Sequence, residues 1–405
     1  MDRAELARLL GAPTTAEPRD VVVDESDPAR FVVAFTDAVA AGGTVFVADP
    51  AWGGNERAQF NALVACSRSA GEREQPPRGW LCLPTGGSSG AIKLARHDEE
   101  TLSAAVNGFC THFGVHRVNV VGLLPLNHVS GLMAWMRAVL TGGEYRAWSW
   151  KALEAGERPM LPAAGGGGWF LSLVPTQLQR LLTDAEAVEW LRGFRAVFIG
   201  GGPSWPELIE AGARARLPLA FSYGMTETAA MVAVLRPAEF LAGGRGSGTP
   251  LPHAQITLDA EARLVIEGES LFRGYWPELR GDGPWATDDL GRFDGNGSLH
   301  VLGRRDALII TGGKKVDPAE VEAALRATGQ FTDVAVVGVP DSEWGEVVVA
   351  FYPQQGGSGV SGLNSQLLDH LAAYKRPKRY VAVTDWPRNA QGKVNRAELR
   401  RLASG

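Results

Sequence analysis

Apolar runs of two kinds alternate along the first part of this chain, and glycine and proline stand between them. That alternation constrains the fold more than any other feature. "FVVAFTDAVAAGG" from Phe31 reads as a helix and "TVFVADP" from Thr44 as a short strand. "DEETLSAAVNGFCTHFGV" puts acidic residues in a first helical turn and sets Leu102, Val106, Phe109 and Phe113 on one face. "VNVVGLLPL" is a β-rich run, "WLRGFRAVFIGGGP" ends a helix and enters a strand, and "LPLAFSYGMTE" is a strand running into a loop. Helix and strand in turn, with loops rich in the chain's 50 glycines and 24 prolines, predict an α/β fold with mostly parallel sheets.

The texture changes after about residue 245. "ARLVIEGESLFRGYW" and "GSLHVLGRRDALIITGG" read as hairpin strands. "VDPAEVEAALRATG" is a helix with Asp317 as N-cap, Pro318 at N1 and Glu320 at N3. "DVAVVGVP" and "EVVVAFYP" follow as strands, and "LNSQLLDHLAAY" as a helix after a Gly/Ser loop. The expected organisation is a large domain of several subdomains over 1–303 and a small mobile α+β domain over 304–405, with a boundary near Gly303–Asp306.

Several function classes drop out. With 405 residues, a net charge of −5 and no basic block, the chain does not look made for nucleic acid. Cys66, Cys82 and Cys110 are odd in number and lack metal-site spacing, so they read as reduced thiols. "MDRAELARLLGAP" is charged and does not read as a signal peptide. "VNVVGLLPLNHVSGLMAWMRAVL" is broken by Pro125, Asn127, His128 and Arg137 and does not read as a membrane span, so a cytoplasmic protein is expected. A homodimer is left open.

The stretch "PTGGSSGAIK", Pro84 to Lys93, carries the first chemistry. Gly86 to Gly90 formally fits the G-x-S-x-G elbow that would make Ser88 a nucleophile, but His253, His300 and His370 stand in no motif that completes a triad. The Walker pattern fails because Ala91 follows Gly90. A plain flexible loop leaves Lys93 without a purpose. A loop that grips phosphate uses everything: glycines admit an anion to the backbone N–H groups, Thr85, Ser88 and Ser89 donate hydroxyls, and Lys93 brings charge.

Five further segments join it. They are "LPLNHVSG" at 124–131, "SYGMTETA" at 222–229, "WATDDLGRF" from Trp285, "GRRDALIITGGKKVDPAEVE" from Gly303 and "QGKVNR" at 391–396. Together, and in this order, the six resemble the motifs of the adenylate-forming acyl-CoA synthetase superfamily. Two positions depart from the usual pattern: alanine precedes Lys93 where proline is common, and "TDD" stands for Thr-Gly-Asp.

The resemblance implies an enzyme that uses ATP and Mg²⁺ to turn a carboxylic acid into an acyl-adenylate and then passes the acyl group to coenzyme A. Charge must be neutralised when a carboxylate attacks a phosphate. It implies Glu227 as the metal-linked carboxylate, Thr226 against phosphate and Lys393 as the cation of the first half-reaction. Gly86, Gly87 and Gly90 belong to the phosphate loop. Asp288, preferred over Asp289, and Arg304 would hold the ribose, with Tyr223, Gly224, Gly201 and Gly202 near adenine. Gly312 and Gly313 would line the pantetheine channel, and Asp306 would be the hinge between half-reactions. The segment from Leu124 is most similar to that of o-succinylbenzoate-CoA ligases of menaquinone and phylloquinone biosynthesis. That substrate carries a second carboxylate, for which Arg137 is the expected partner; His128 and Ser130, and less firmly Thr176, are expected near the acid. The alternatives are a ligase for another aromatic or medium-chain acid, and a non-catalytic protein of the same fold that only binds.

Overall fold

A computed structural model describes residues 1–12, 18–68, 78–86, 91–162, 168–331, 333–354, 367, 371–388 and 394–403. The chain divides into two compact units. The larger holds Met1–Gly202, Ala211–Thr287 and Gly291–Val301; the smaller holds Pro203–Glu210, Asp288–Leu290 and Leu302–Gly405.

The larger unit begins with helix α1 (Arg3–Leu9) and a four-stranded sheet in the order β1 (Arg19–Val23), β2 (Gly42–Val47), β3 (Leu81–Gly86), β4 (Ile92–His97). Helix α2 (Pro28–Ala40) links β1 to β2, which are parallel, and α3 (Gly54–Arg68) precedes β3. Asp27 caps α2 and Pro28 opens it, so the helix starts one turn before the expected "FVVAF". β3 and β4 are an antiparallel pair that sets Thr85 opposite Lys93.

The second sheet carries the parallel core. Its strands are β5 (Asn119–Gly122), β6 (Tyr145–Ala147), β7 (Trp169–Leu173), β8 (Ala196–Ile199), β9 (Leu219–Met225), β10 (Ala230–Val234) and β11 (Thr249–Pro250), in the order β11-β10-β9-β8-β7-β5-β6. The run from β9 through β8, β7 and β5 to β6 is parallel. Helices α4 (Glu99–Phe113) and α5 (Val129–Leu140) pack against each other and on this part of the molecule. The expected stripe of α4, Leu102, Val106, Phe109 and Phe113, is buried. Phe109, Phe113, Phe170 and Phe198 close over one another at ring distances of 4.8–5.9 Å. Each such side chain contributes about 1.5–3 kcal/mol by burial.

The consequence for function lies in the carboxyl ends of the parallel strands, where an open α/β sheet offers its crevices. "LPLNH" follows β5, Gly200–Gly202 follow β8, and Thr226–Glu227 follow β9. Three motifs far apart in sequence thus leave the same end of one sheet.

A third sheet follows in the order β12 (Ala254–Leu258), β13 (Arg263–Gly268), β14 (Trp285–Phe293), β15 (Leu299–Arg304). Here the structure differs from the expectation for "ARLVIEGESLFRGYW". Only its first half is a hairpin strand. After Gly268, at φ 158, the chain leaves the sheet and runs beside β4, with the Arg273 N–H donating to the Arg96 carbonyl (2.7 Å) and the Trp276 N–H to that of Leu94 (2.8 Å). The apolar residues that imitate a hairpin arm, Leu271, Phe272 and Trp276, are buried there instead.

The smaller unit is built on β16 (Ile309–Thr311), β17 (Lys314–Val316), β18 (Ala335–Asp341), β19 (Gly345–Pro353) and β20 (Arg379–Val383), in the order β17-β16-β19-β18 with β20 on β19. The helix Pro318–Ala327 has Asp317 as N-cap, its side chain accepting from the Ala319 N–H. Most of "LNSQLLDHLAAY" lies outside the described residues.

Candidate active site

Glu227 is 6% exposed, in a one-turn 3₁₀ segment, Thr226–Thr228, between β9 and β10. The residues after it form a strand and not a helix, so it is no helix-terminal surface charge. Local chemistry makes the turn. The Thr228 hydroxyl accepts from the Met225 N–H (3.0 Å) and donates to the Ala230 carbonyl (2.6 Å). Ala229 and Ala230 then take φ of 49° and 77°, a left-handed conformation that costs a residue with a side chain about 1–2 kcal/mol. Strain of this kind collects at functional sites.

β3, β4 and the segment that runs beside β4 converge on this turn. From β3, the Thr85 hydroxyl donates to Glu227 Oε1 at 3.2 Å. From the segment beside β4, the Tyr275 hydroxyl donates to the same oxygen at 2.7 Å. The Lys93 ammonium stands 5.0 Å from the centre of the Tyr275 ring. The Phe272 N–H donates to the Glu227 carbonyl at 2.8 Å. From the end of β4, His97 Nε2 donates to the Thr226 carbonyl at 2.7 Å, which fixes the tautomer because a carbonyl only accepts. Burial drives the His97 pKa from 6.5 down to about 4, so the ring is a neutral strut.

A second tier holds these strands. Asp98 caps α4 and receives Arg273 through two oxygens, at 2.7 and 3.0 Å. Burial raises the Asp98 pKa, but the hydrogen bonds and charge of Arg273 outweigh it, and the net shift is downward. Buried Arg96 donates to the carbonyls of Arg78 (2.7 Å), Gly79 and Pro277 (both 3.0 Å), tying the chain just after Tyr275 to the approach to β3. No sequence motif singles out Tyr275, His97, Asp98 or Arg273. The one signal was "GYW", where a glycine at φ 129 precedes two aromatic residues.

The donor set suits a magnesium–nucleotide complex. Among the described residues, both hydrogen bonds to the Glu227 carboxylate fall on Oε1. Among the described residues no group of three or more His, Cys, Asp or Glu could hold a metal by itself. Mg²⁺ is commonly held by one or two carboxylates, with phosphate oxygens and water completing its shell. Glu227 fits that part.

The other expected residues are distributed as follows. His128 stands before α5 with Nε2 3.5 Å from Asp49 Oδ2, and Ser130 is in the first turn of α5. Arg137, two turns beyond Ser130 on the same helix, is 3% exposed and does not face solvent. Its guanidinium lies 4.6 Å from the Phe109 ring, and its Nε and Nη2 have no hydrogen bond among the described residues. Burial lowers its pKa to about 10, which leaves it charged at neutral pH. Thr176 is in the first turn of the helix Pro175–Leu181. Gly224 is required by close packing, since a Cβ there would come within 2.0 Å of the Ala230 carbonyl oxygen. Gly201 follows β8 at φ 77, with Gly202 next to it. Tyr223 is buried with Val232 and Ile256. Gly86 ends β3, while Gly87, Ser88, Ser89, Gly90 and Lys393 lie outside the described residues.

In the smaller unit, Arg304 is 3.5 Å from Asp288 and 3.6 Å from Asp289. Asp288 is open to solvent, whereas the Asp289 side chain is only 12% exposed. Gly312 and Gly313 are the two central residues of the β16–β17 hairpin, at φ 54 and 74, as a tight turn of that type demands. Asp306 falls in a one-turn segment, Arg305–Ala307; its side chain is outside the described residues.

Comparison with known proteins supplies the frame. Residues 14–276 match the family of AMP-binding enzymes, and residues 320–393 match the AMP-binding enzyme C-terminal domain. The 2-succinylbenzoate–CoA ligase of Geobacillus kaustophilus is 34% identical over 340 residues, which are 78% of this chain and 68% of that protein. Among solved structures, the o-succinylbenzoate CoA synthetase of Bacillus subtilis with its acyl-adenylate intermediate superposes with a TM-score of 0.78 at 21% identity, over 98% of this chain and 91% of that one. The same enzyme with ATP and a magnesium ion gives 0.77 at 22% identity, over 98% and 92%.

Proposed function

This chain belongs to the family of AMP-binding enzymes, and from that premise we propose that it is an AMP-forming acid–CoA ligase. Its acid is 2-succinylbenzoate, and the pathway is menaquinone or phylloquinone biosynthesis. The observation that carries the chemistry is the Glu227 cluster, in which a buried carboxylate, a lysine and a phosphate-loop threonine meet at the carboxyl end of a parallel sheet. The acid is carried by the 34% identity to a 2-succinylbenzoate–CoA ligase.

Glu227 holds Mg²⁺ and Lys93 faces the phosphates of ATP. Mg²⁺, when bound, neutralises charge on the phosphates as the acid's carboxylate attacks. Thr85, Tyr275 and His97 keep the turn that carries Glu227 in place. Thr226 faces phosphate. Lys393 supplies a second cation to adenylation, and Asp306 is the hinge before thioester formation. Gly312 and Gly313 leave room for the pantetheine arm.

For the ribose hydroxyls we assign Asp289 ahead of Asp288. Asp288 stands where the Thr-Gly-Asp pattern has glycine, and side chains alternate along a strand, so Thr287 and Asp289 share the sheltered face of β14. Arg304 lies within reach of either.

The acid lies near His128 and Ser130, and its second carboxylate meets Arg137. A buried guanidinium with no carboxylate beside it among the described residues is a charge that an anionic ligand would neutralise. The enzyme acts in the cytoplasm, where ATP and CoA are at hand. No helix of the described residues is long and apolar enough to cross a membrane.

Thioester formation from ATP, CoA and a panel of acids, followed by mass spectrometry, tests this reading. 2-Succinylbenzoyl-CoA and AMP are the expected products. Arg137→Met is expected to raise the KM for 2-succinylbenzoate roughly tenfold or more and leave that for ATP unchanged. An unchanged acid KM contradicts the assignment of Arg137.

A further inference from the structure

We infer that Tyr275 is a positioning residue for adenylation, one that fixes the spacing between the metal-linked carboxylate and the cation of the phosphate loop. The inference rests on the reading of Glu227 and Lys93 given above. One ring does two things at once. Its edge carries the hydroxyl that donates to Glu227 Oε1 at 2.7 Å, and its face lies 5.0 Å from the Lys93 ammonium. An aromatic face attracts a cation, and a phenol hydroxyl donates to a carboxylate. Turning the ring to improve one contact spoils the other, so the two charged groups share one template.

The template is itself well held. Tyr275 pairs across to Ala95 on β4, and its neighbours on both sides are tied to the same strand: Arg273 N–H to the Arg96 carbonyl, Arg96 N–H to the Gly274 carbonyl (2.9 Å), Trp276 N–H to the Leu94 carbonyl. Arg273 is locked on Asp98. Phe272, edge-on at 4.8 Å, supports the ring. The carboxylate is approached from Thr85 and Tyr275 on one oxygen, and the two donors hold its plane against rotation. Groups that hydrogen-bond a metal-holding carboxylate tune its affinity for the ion, and removing such a partner costs roughly 10–100-fold in metal affinity or activity. With Thr85 still in place, the lower end of that range, about tenfold, is expected for loss of the phenol hydroxyl.

Two variants separate the contacts. Tyr275→Phe keeps the ring face and removes the hydroxyl; Tyr275→Leu removes both. Binding of Mn²⁺ in the presence of α,β-methylene-ATP is followed by electron paramagnetic resonance, and the Mg²⁺ dependence of ATP–pyrophosphate exchange beside it. For Tyr275→Phe, we expect Mn²⁺ affinity and half-saturating Mg²⁺ both to be about tenfold worse, with the KM for the acid and the melting temperature unchanged. For Tyr275→Leu, the KM for ATP rises as well. Wild-type Mn²⁺ affinity in Tyr275→Phe overturns the inference. So does a variant that melts early with every constant worse to the same degree, since that is the mark of packing alone. If the wild type exchanges pyrophosphate with no acid, the adenylation reading fails, and the Mn²⁺ titration still decides the role of Tyr275.

Discussion

Helix α4 has polar company at both ends, and the two ends are treated differently. At its start, Asp98 caps the helix and is gripped by Arg273, His97 spends Nε2 on a carbonyl, and the neighbouring Glu227 carboxylate receives two hydroxyls. Toward its other end, Gly108 leaves room for the His253 ring, where a Cβ would come within 1.8 Å of Nδ1. The Arg137 guanidinium lies over Phe109 with two nitrogens that make no hydrogen bond among the described residues, and His112 Nε2 likewise makes none. Polar groups that serve one another become rigid, and rigid placement is what a reaction between two anions requires. Polar groups buried without partners cost stability, and proteins keep them where a ligand or another function returns the cost. The first end is a finished scaffold, while the second holds its charge in reserve.

The first end depends most on Glu227. Glu227→Ala is expected to lower Mg²⁺-dependent adenylation by at least about 10²–10³-fold, with the unfolding midpoint near that of the wild type. Pyrophosphate exchange and denaturant melts on the same samples check both halves. Next comes the pair at the start of α4. Arg273→Met leaves the buried Asp98 carboxylate without its cation and should cost about 3 kcal/mol in equilibrium unfolding. At the other end, Arg137→Met should do the reverse, staying within about 1 kcal/mol of the wild type or becoming more stable, because it removes a buried charge that has no opposite beside it among the described residues. If both arginines cost the same, the two ends do not differ as described.

Acid acts on both ends at once, and the smallest single effect separates them. Burial takes His97, His112 and His253 from 6.5 to about 4. Below pH 6.5 the unfolded chain therefore binds protons that the folded chain refuses, and stability falls as pH drops from 6.5 toward 4. Each histidine contributes about 1.4 kcal/mol per pH unit over that window. Asp98, shifted down, acts otherwise: its contribution holds above its ordinary value of 3.8 and is lost only as pH falls past the lowered one. Unfolding free energies at pH 7, 6 and 5 should therefore slope steeply, and His112→Gln, at the far end of α4, should flatten the slope by one proton.

Much of the fold was legible because it rests on local signals. Asp317 before Pro318 starts a helix wherever it stands, and the buried face of α4 repeats at helical spacing. The motif residues were legible for a different reason: Thr85, Glu227, Lys93 and Arg304 sit in short segments whose pattern is specific. What could not be read is what only the fold brings together. Tyr275 meets Glu227 across 48 residues and Arg273 meets Asp98 across 175, and no spacing announces either pair. "SLFRGYW" misled as a hairpin arm because apolar alternation does not say which strand a segment lies beside. The burial of Arg137 was not legible either: its expected role came only from the resemblance, since a lone arginine on a helix usually lies at the surface.

The most direct test is ATP–pyrophosphate exchange with a panel of carboxylic acids, with and without Mg²⁺, on the wild type and on Glu227→Gln. The expected result is exchange with 2-succinylbenzoate that requires Mg²⁺ and is lost in the variant. Exchange that survives in Glu227→Gln, or that no acid and no metal ion can elicit from the wild type, would contradict it.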